Sequence, residues 1–407
     1  RGISDESRWL REEKVSGKAP GSAGMASGAG GPTAHLALRG QARYEQGRAA
    51  EAEADLNKAI EAAPKLPTAF FDRGRLRLDQ GRHALAAADF SEYLRQVPDS
   101  PDALGFRGLA RLGQGDRDKA LRDFTAALQL NPNYASLYYH RADVHRRLGR
   151  LERAITDYDG YLLRDPMNAE VLALRGQLKQ ELGRDRLAIT DFTQSLRWEP
   201  AAAEVWKWSA ISRWNLREYQ RAIECLDRGL KIQPDDADSL ALRGIAWKKQ
   251  AEPDKALADL SRAVELEPRH GPARMHRGEV YFHKSQHAAA AADLDRAALL
   301  NPNDPTVQER RAWFLATCPE ARFRDAAKAL AAARTACRLT DGKDFRALDA
   351  LAAAYAESGD FDSAAKWVEQ ALQAAPRNWR ESLEARRDLY QRRQPHRTPA
   401  PAPFRDR

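Results

Sequence analysis

The chain has 407 residues, 43% hydrophobic and 30% charged, with a net charge of +8 and three cysteines, Cys225, Cys318 and Cys337. This suits one elongated domain or two ordinary ones. No window approaches 18 apolar residues, which excludes a membrane-spanning helix, and a sparse, odd set of cysteines without ligand spacing argues against a disulfide scaffold or a zinc site. Free thiols in a reducing, cytoplasmic compartment are expected. The basic excess is local: residues 377–407 hold nine Arg against four acidic residues. The body is close to neutral, so it lacks the clustered cations that phosphate backbones require, and nucleic acid is not expected as a partner.

Residues 1–32, with the run KAPGSAGMASGAGG, read as a flexible segment and glycine-rich linker. They do not form a phosphate loop, because no strand precedes the run and no Gly-Lys-Ser/Thr follows it. The chain opens on Arg1 instead of Met, as an excised piece of a longer protein would.

From Thr33 the sequence repeats every 34 residues, and eight rows align without a gap over 33–302. Each row closes on proline: Pro64, Pro98, Pro132, Pro166, Pro200, Pro234, Pro268 and Pro302. Proline breaks a helix interior, so each row must hold a complete structural unit. Small residues recur at the eighth, twentieth and usually twenty-seventh places, as Gly40, Ala52 and Ala59 or Gly108, Ala120 and Ala127. Large apolar residues hold the twenty-fourth, among them Leu56, Phe90, Phe124, Tyr158, Phe192 and Leu260. Spacings of three, four and seven put these on one helix face. Five rows add a glycine at the fifteenth place, Gly47, Gly81, Gly115, Gly149 and Gly183, where a helix would stop. Each row therefore predicts helix, tight turn, helix, proline.

Seven rows carry arginine at the seventh place and aspartate at the twenty-third. The pairs are Arg39 with Asp55, Arg73 with Asp89, Arg107 with Asp123, Arg141 with Asp157, Arg175 with Asp191, Arg243 with Asp259 and Arg277 with Asp293. The sixth row loses both at once, having Ser209 and Cys225. On antiparallel helices the two places lie at similar heights, which predicts a ladder of structural ion pairs within the repeats.

After Pro302 the period slips. Residues 303–376 read as two variant repeats, the first with an insertion near Pro319, the second marked by Gly359, Ala364, Ala371 and Pro376. Residues 377–394, with Trp379, Leu383, Leu389 and Tyr390, predict a helix capping the last repeat, as an open-ended array needs. Residues 395–407 read as a disordered Pro/Arg-rich tail, with a polyproline ligand as the lesser reading. Cys318 and Cys337 fall too far apart along consecutive helices to be bridged.

The 34-residue pattern of small residues and prolines resembles the tetratricopeptide repeat family over residues 33–376. Only Trp206 and Tyr281 keep the family's usual aromatic places, so the small residues and prolines carry the likeness. The closing LATCP segment looks like the C-terminal end of repeat arrays in some large bacterial proteins. The resemblance implies an all-α, right-handed superhelical solenoid of antiparallel helix pairs, and a protein-protein interaction scaffold that binds peptide segments in its concave groove. The family's ligand-facing places fall here on Phe71 and Arg75, Tyr139 and Asp143, Lys207 and Trp214, Lys248 and Lys249, and Phe282 and His283. The Lys and Asn clamp that some members use for chaperone tails is not matched by Ala37 and Gln41 or their counterparts.

No nucleophile, base and acid constellation emerges, and no cofactor or metal is implied. His276, His283 and His287 gather in the eighth row, but the last two straddle the turn. The expected partners are proteins or peptides, with no enzymatic activity. The alternative is a regulatory or substrate-recruiting arm of a larger multidomain enzyme, of kinase or glycosyltransferase type.

Overall fold

The computed structural model describes residues 32–398, so the expected linker over 1–31 and the end of the expected tail, 399–407, lie outside the described residues. Among the described residues there are twenty-one α-helices, one short 3-10 turn and no strand. They form two compact units, one ending at Arg184 and one beginning at Asp185.

The N-terminal unit stacks four helix pairs: 32–45 with 49–62, 67–79 with 83–96, 101–113 with 117–130, and 135–147 with 151–162, followed by helix 169–181. The C-terminal unit opens on helix 185–198 and stacks the pairs 203–215 with 219–232, 237–249 with 253–266 and 271–283 with 287–300. It continues with 305–317 and 326–339, then 345–357 and 361–374, and closes on helix 377–391. Both units are all-α arrays of paired helices.

The punctuation expected from the sequence sets these boundaries. Pro67, Pro101, Pro253 and Pro305 stand at first helical positions, where no amide hydrogen is needed. Between paired helices the fifteenth place takes a left-handed backbone, as at Gly115 with φ +82°. In the sixth to eighth repeats the same conformation falls on Arg217, Ala251 and Ser285, with φ near +60°. The glycine at the eighth place answers to the residue at the twenty-fourth: a Cβ on Gly108 would lie 2.5 Å from the Phe124 ring, and one on Gly40 would lie 2.8 Å from Leu56.

The insertion of the ninth repeat is the connection from Cys318 to Asp325. It contains the 3-10 turn Ala321–Phe323 and returns through Asp325 N to Leu315 O at 3.1 Å. The closing helix Arg377–Gln391 buries Leu383 and Tyr390 against Phe345, Leu348 and Val368. It also buries an ion pair, Arg386 donating twice to Asp349 at 2.8 and 2.7 Å with both side chains 6% exposed. The cap is shorter than 377–394. Residues 395–398, expected within a disordered tail, are packed on the array, and Thr398 is only 8% exposed.

Candidate functional site

Arginine at the seventh place makes two sets of contacts, sixteen residues apart in each direction. Forward, it reaches the aspartate of its own repeat. Arg39 Nε donates to Asp55 at 2.7 Å, Arg73 Nη2 to Asp89 at 2.7 Å, and Arg107 Nη2 to Asp123 at 2.8 Å. Arg141 Nη2 donates to Asp157 at 2.6 Å, Arg243 Nη2 to Asp259 at 2.7 Å, and Arg277 Nε to Asp293 at 2.6 Å. Arg175 belongs to the N-terminal unit and Asp191 to the C-terminal one. Asp191 is buried, and Arg175 Nη1 donates to Asp159 at 2.6 Å.

The Asp159 contact belongs to the second set, which reaches back to the preceding repeat. Arg73 bonds Asn57 at 2.7 Å, Arg141 bonds Thr125 at 3.2 Å, and Arg243 bonds Asp227 at 2.6 Å. Arg277 bonds Ser261 at 3.4 Å, and Arg311 bonds Asp295 at 2.7 Å. The arginine is thus a staple between repeats as well as a pair within one. The first three repeats add a second arginine at the eleventh place, with Arg43, Arg77 and Arg111 donating to the same aspartates at 2.5, 2.8 and 2.6 Å.

The residues expected to face a ligand lie on the first helices of their repeats, and most are engaged inside the protein. Phe71 is half-buried among Phe90, Tyr93 and Phe106, with ring centroids 5.1 to 5.7 Å apart. The Arg75 guanidinium lies over Phe106 and Tyr44. Tyr139 donates its hydroxyl to Glu170 at 3.1 Å, and Asp143 pairs with Arg146 and Arg147 at 2.5 and 2.6 Å. In the sixth repeat Trp214 packs on Tyr219 at 4.9 Å, and Lys207 Nζ lies 3.2 Å from both Glu204 and Asp236. Burial alone would lower the Lys207 pKa, but the two carboxylates raise it. Lys249 is half-buried, and Phe282 packs edge-on against Phe314 at 5.2 Å. His287 Nδ1 donates to the Glu320 carboxylate at 2.7 Å, and His283 lies beside Phe282. Among the described residues no group of three or more His, Cys, Asp or Glu side chains is placed to hold a metal.

Lys248 belongs to a larger constellation drawn from three successive first helices, 237–249, 271–283 and 305–317. Its Nζ lies 2.5 Å from Glu279 and 3.1 Å from His276 Nδ1. His276 Nδ1 lies 2.8 Å from Glu279, and Arg310 Nε approaches the same carboxylate at 2.6 Å and Glu309 at 3.4 Å. Burial alone would push the Glu279 carboxyl up. Lys248, Arg310 and His276 outweigh it and hold it well below the ordinary range. Burial, then Lys248, lowers the His276 pKa, so the imidazole is neutral near pH 7. Of these five the sequence places Lys248 alone at a ligand-facing position and marks His276 only as one of three histidines in its row, because their shared face appears only when consecutive rows are stacked.

Family models described as tetratricopeptide repeat match residues 37–101, 107–169, 174–237, 242–306 and 345–378, together more than half of the chain. Among curated proteins none matches. Among solved structures, the C-terminal part of a TPR repeat-containing protein from Cytophaga hutchinsonii is 15% identical with a TM-score of 0.50, covering 59% of this chain and 98% of that one. MamA from Desulfovibrio magneticus RS-1 is 22% identical with a TM-score of 0.40, covering 42% of this chain and 96% of its own. YrrB, described as a TPR protein with an unusual peptide-binding site, is 23% identical with a TM-score of 0.40, covering 45% and 95%. At 15% identity the likeness to the first of these is one of fold alone.

Proposed function

Since the chain belongs to the tetratricopeptide repeat family, we propose that it is a non-enzymatic scaffold whose first-helix faces bind segments of partner proteins. The observation that carries this reading is the charged row of the C-terminal unit, where Lys248, Glu279 and Arg310 alternate in sign across three first helices. A peptide laid across such a row meets prearranged charges whose desolvation is already offset by their neighbours. Lys207 and Trp214, one repeat earlier and seven residues apart on one helix, add a cation and an indole, and tryptophan is among the residue types that dominate interface hot spots. Three unpaired cysteines suit work in a reducing, cytoplasmic setting.

The test is capture of partners from a lysate of the source cell by the intact chain and by a Lys207→Ala, Trp214→Ala, Lys248→Ala variant of unchanged helical circular dichroism. A protein retained by the first and lost by the second supports the groove reading. Identical sets of captured proteins, or none, would sink it for these repeats.

A further inference from the structure

The segment after the closing helix doubles back over the first helices of the last two repeats. Gln394 N donates to Leu389 O at 2.9 Å, and Arg393 takes φ +56°, which ends the helix and turns the chain. Residues 394–398 then run without regular structure. The His396 ring comes within 5.6 Å of the Trp313 indole, which the Arg386 guanidinium also approaches at 5.3 Å. Arg397 Nη1 donates to Ala316 O at 3.2 Å, and its Nη2 lies 2.6 Å from the Glu357 carboxylate. Thr398 N donates to Thr317 O at 3.0 Å, and the two threonine hydroxyls are 2.9 Å apart and buried.

Two of its partners, the Ala316 and Thr317 carbonyls, are groups that a helix end leaves without a donor. The last four carbonyls of a helix have no intrahelical donor, and the C-terminal end of the dipole favours a cation. Ala316 and Thr317 end helix 305–317, and Glu357 ends helix 345–357. Glu357 is already paired with Arg324 at 2.9 Å, which fixes its carboxylate before Arg397 arrives. The recognition is therefore by main-chain carbonyls, one carboxylate and one indole. It asks of its occupant an extended backbone, an arginine, and a following residue with an amide hydrogen and a hydroxyl.

We propose that the ends of helices 305–317 and 345–357 form a binding seat for an extended arginine-threonine segment, and that residues 395–398 are its displaceable intramolecular occupant. A tether of a few residues after the closing helix gives the tail a high effective concentration. A partner segment of the same chemistry would have to exceed it or meet a chain whose tail has been drawn away. This deepens the scaffold reading by naming the class of segment bound, and its test uses a defined peptide, so its failure leaves the lysate experiment untouched.

The probe is a fluorescent peptide of sequence PHRTPAPAPFRDR, titrated by anisotropy into the full chain and into a full-chain variant with Arg397→Ala and Thr398→Pro. The first change removes the cation and the second removes the amide donor. The peptide should bind the variant at least about tenfold more tightly than the unaltered chain. That binding should be lost when Glu357→Gln is added, or when the peptide's own arginine in the HRT triplet is alanine. A chain ending at Gln394 serves as a second unseated form should the double substitution disturb folding. Equal affinity for seated and unseated chains, or no binding to an unseated chain of native helical content, overturns the proposal.

Discussion

Ser209 Oγ lies 3.7 Å from Cys225 Sγ, at the two places where six other repeats join an arginine to an aspartate. The sixth repeat thus keeps the contact between its helices while discarding its charge. Cys225 alone is 6% exposed, so a lone carboxylate there would have to find a cation or remain protonated.

Restoring the pair should show coupling. Cys225→Asp alone is expected to destabilise the chain by about 2 kcal/mol, since the new carboxylate lacks its usual arginine. Adding Ser209→Arg should recover at least about 1 kcal/mol of that in a double-mutant cycle followed by urea unfolding. Strict additivity of the two substitutions would mean that the seventh and twenty-third places do not interact.

Asp89 is 3% exposed and accepts from both Arg73 and Arg77. Asp89→Ala leaves two guanidinium groups facing a vacated carboxylate site, and a loss of about 3–5 kcal/mol is expected. Asp259 accepts from one arginine, Arg243, where Asp89 accepts from two, so Asp259→Ala should cost less. Unfolding midpoints of the two variants would settle the order, and equal losses would remove the second arginine from the account.

Ala251 carries a left-handed φ of +59° where the first five repeats have glycine. That conformation costs a side-chain-bearing residue roughly 1–2 kcal/mol, partly offset by the backbone entropy glycine loses on folding. Ala251→Gly should therefore stabilise the chain by up to about 1 kcal/mol, seen as a higher midpoint of unfolding. A lower midpoint would show that entropy outweighs strain at this turn.

Glu309 is 5% exposed, and burial, reinforced by Glu279, Asp349 and Asp344, raises its carboxyl to about 7 against the pull of Arg310. Its folded pKa lies above its unfolded value of 4.5, so the folded chain binds a proton that the unfolded chain releases. The stability it contributes is present below the unfolded value and is lost as pH rises through about 7. Glu309→Gln should stabilise the chain by about 1–3 kcal/mol at pH 8 relative to the unsubstituted chain, and change little at pH 4. An effect of the same size at both pH values would exclude titration of Glu309 as its source.

Helix boundaries and pairings were legible because the signals behind them are local: proline before or at the helix start, a left-handed residue in the turn, and small residues opposite large ones. The arginine-aspartate spacing was legible for the same reason, since both partners lie within one row. The reach of Arg73 back to Asn57 was not, because the twenty-fifth place is Asn, Thr, Asp or Ser and shows no single letter to the eye. The second arginine at Arg43, Arg77 and Arg111 stood in plain sight four residues after the first, on the same helix face. The cluster around Glu279 and the return of residues 394–398 onto helix 305–317 depend on stacking between repeats, for which a single row carries no pattern. Phe71 and Tyr139 fell at ligand-facing places by family likeness, yet their rings fill gaps between neighbouring helices.

The two-way reach of the seventh-place arginine gives the array a rule for changing length. A duplicated block of 34 residues arrives with an aspartate for its own arginine and an acceptor for the arginine of the block that follows, so whole blocks can be gained or lost without stranding a buried charge. A break of any other length between the seventh and twenty-third places would shift an arginine out of register with the aspartate of its own repeat. The ninth repeat carries its extra residues in the connection after Cys318, between its own two helices, and what it keeps is the backward contact of Arg311 with Asp295. Growth by copying is therefore written into hydrogen bonds that bind each block to the one before it.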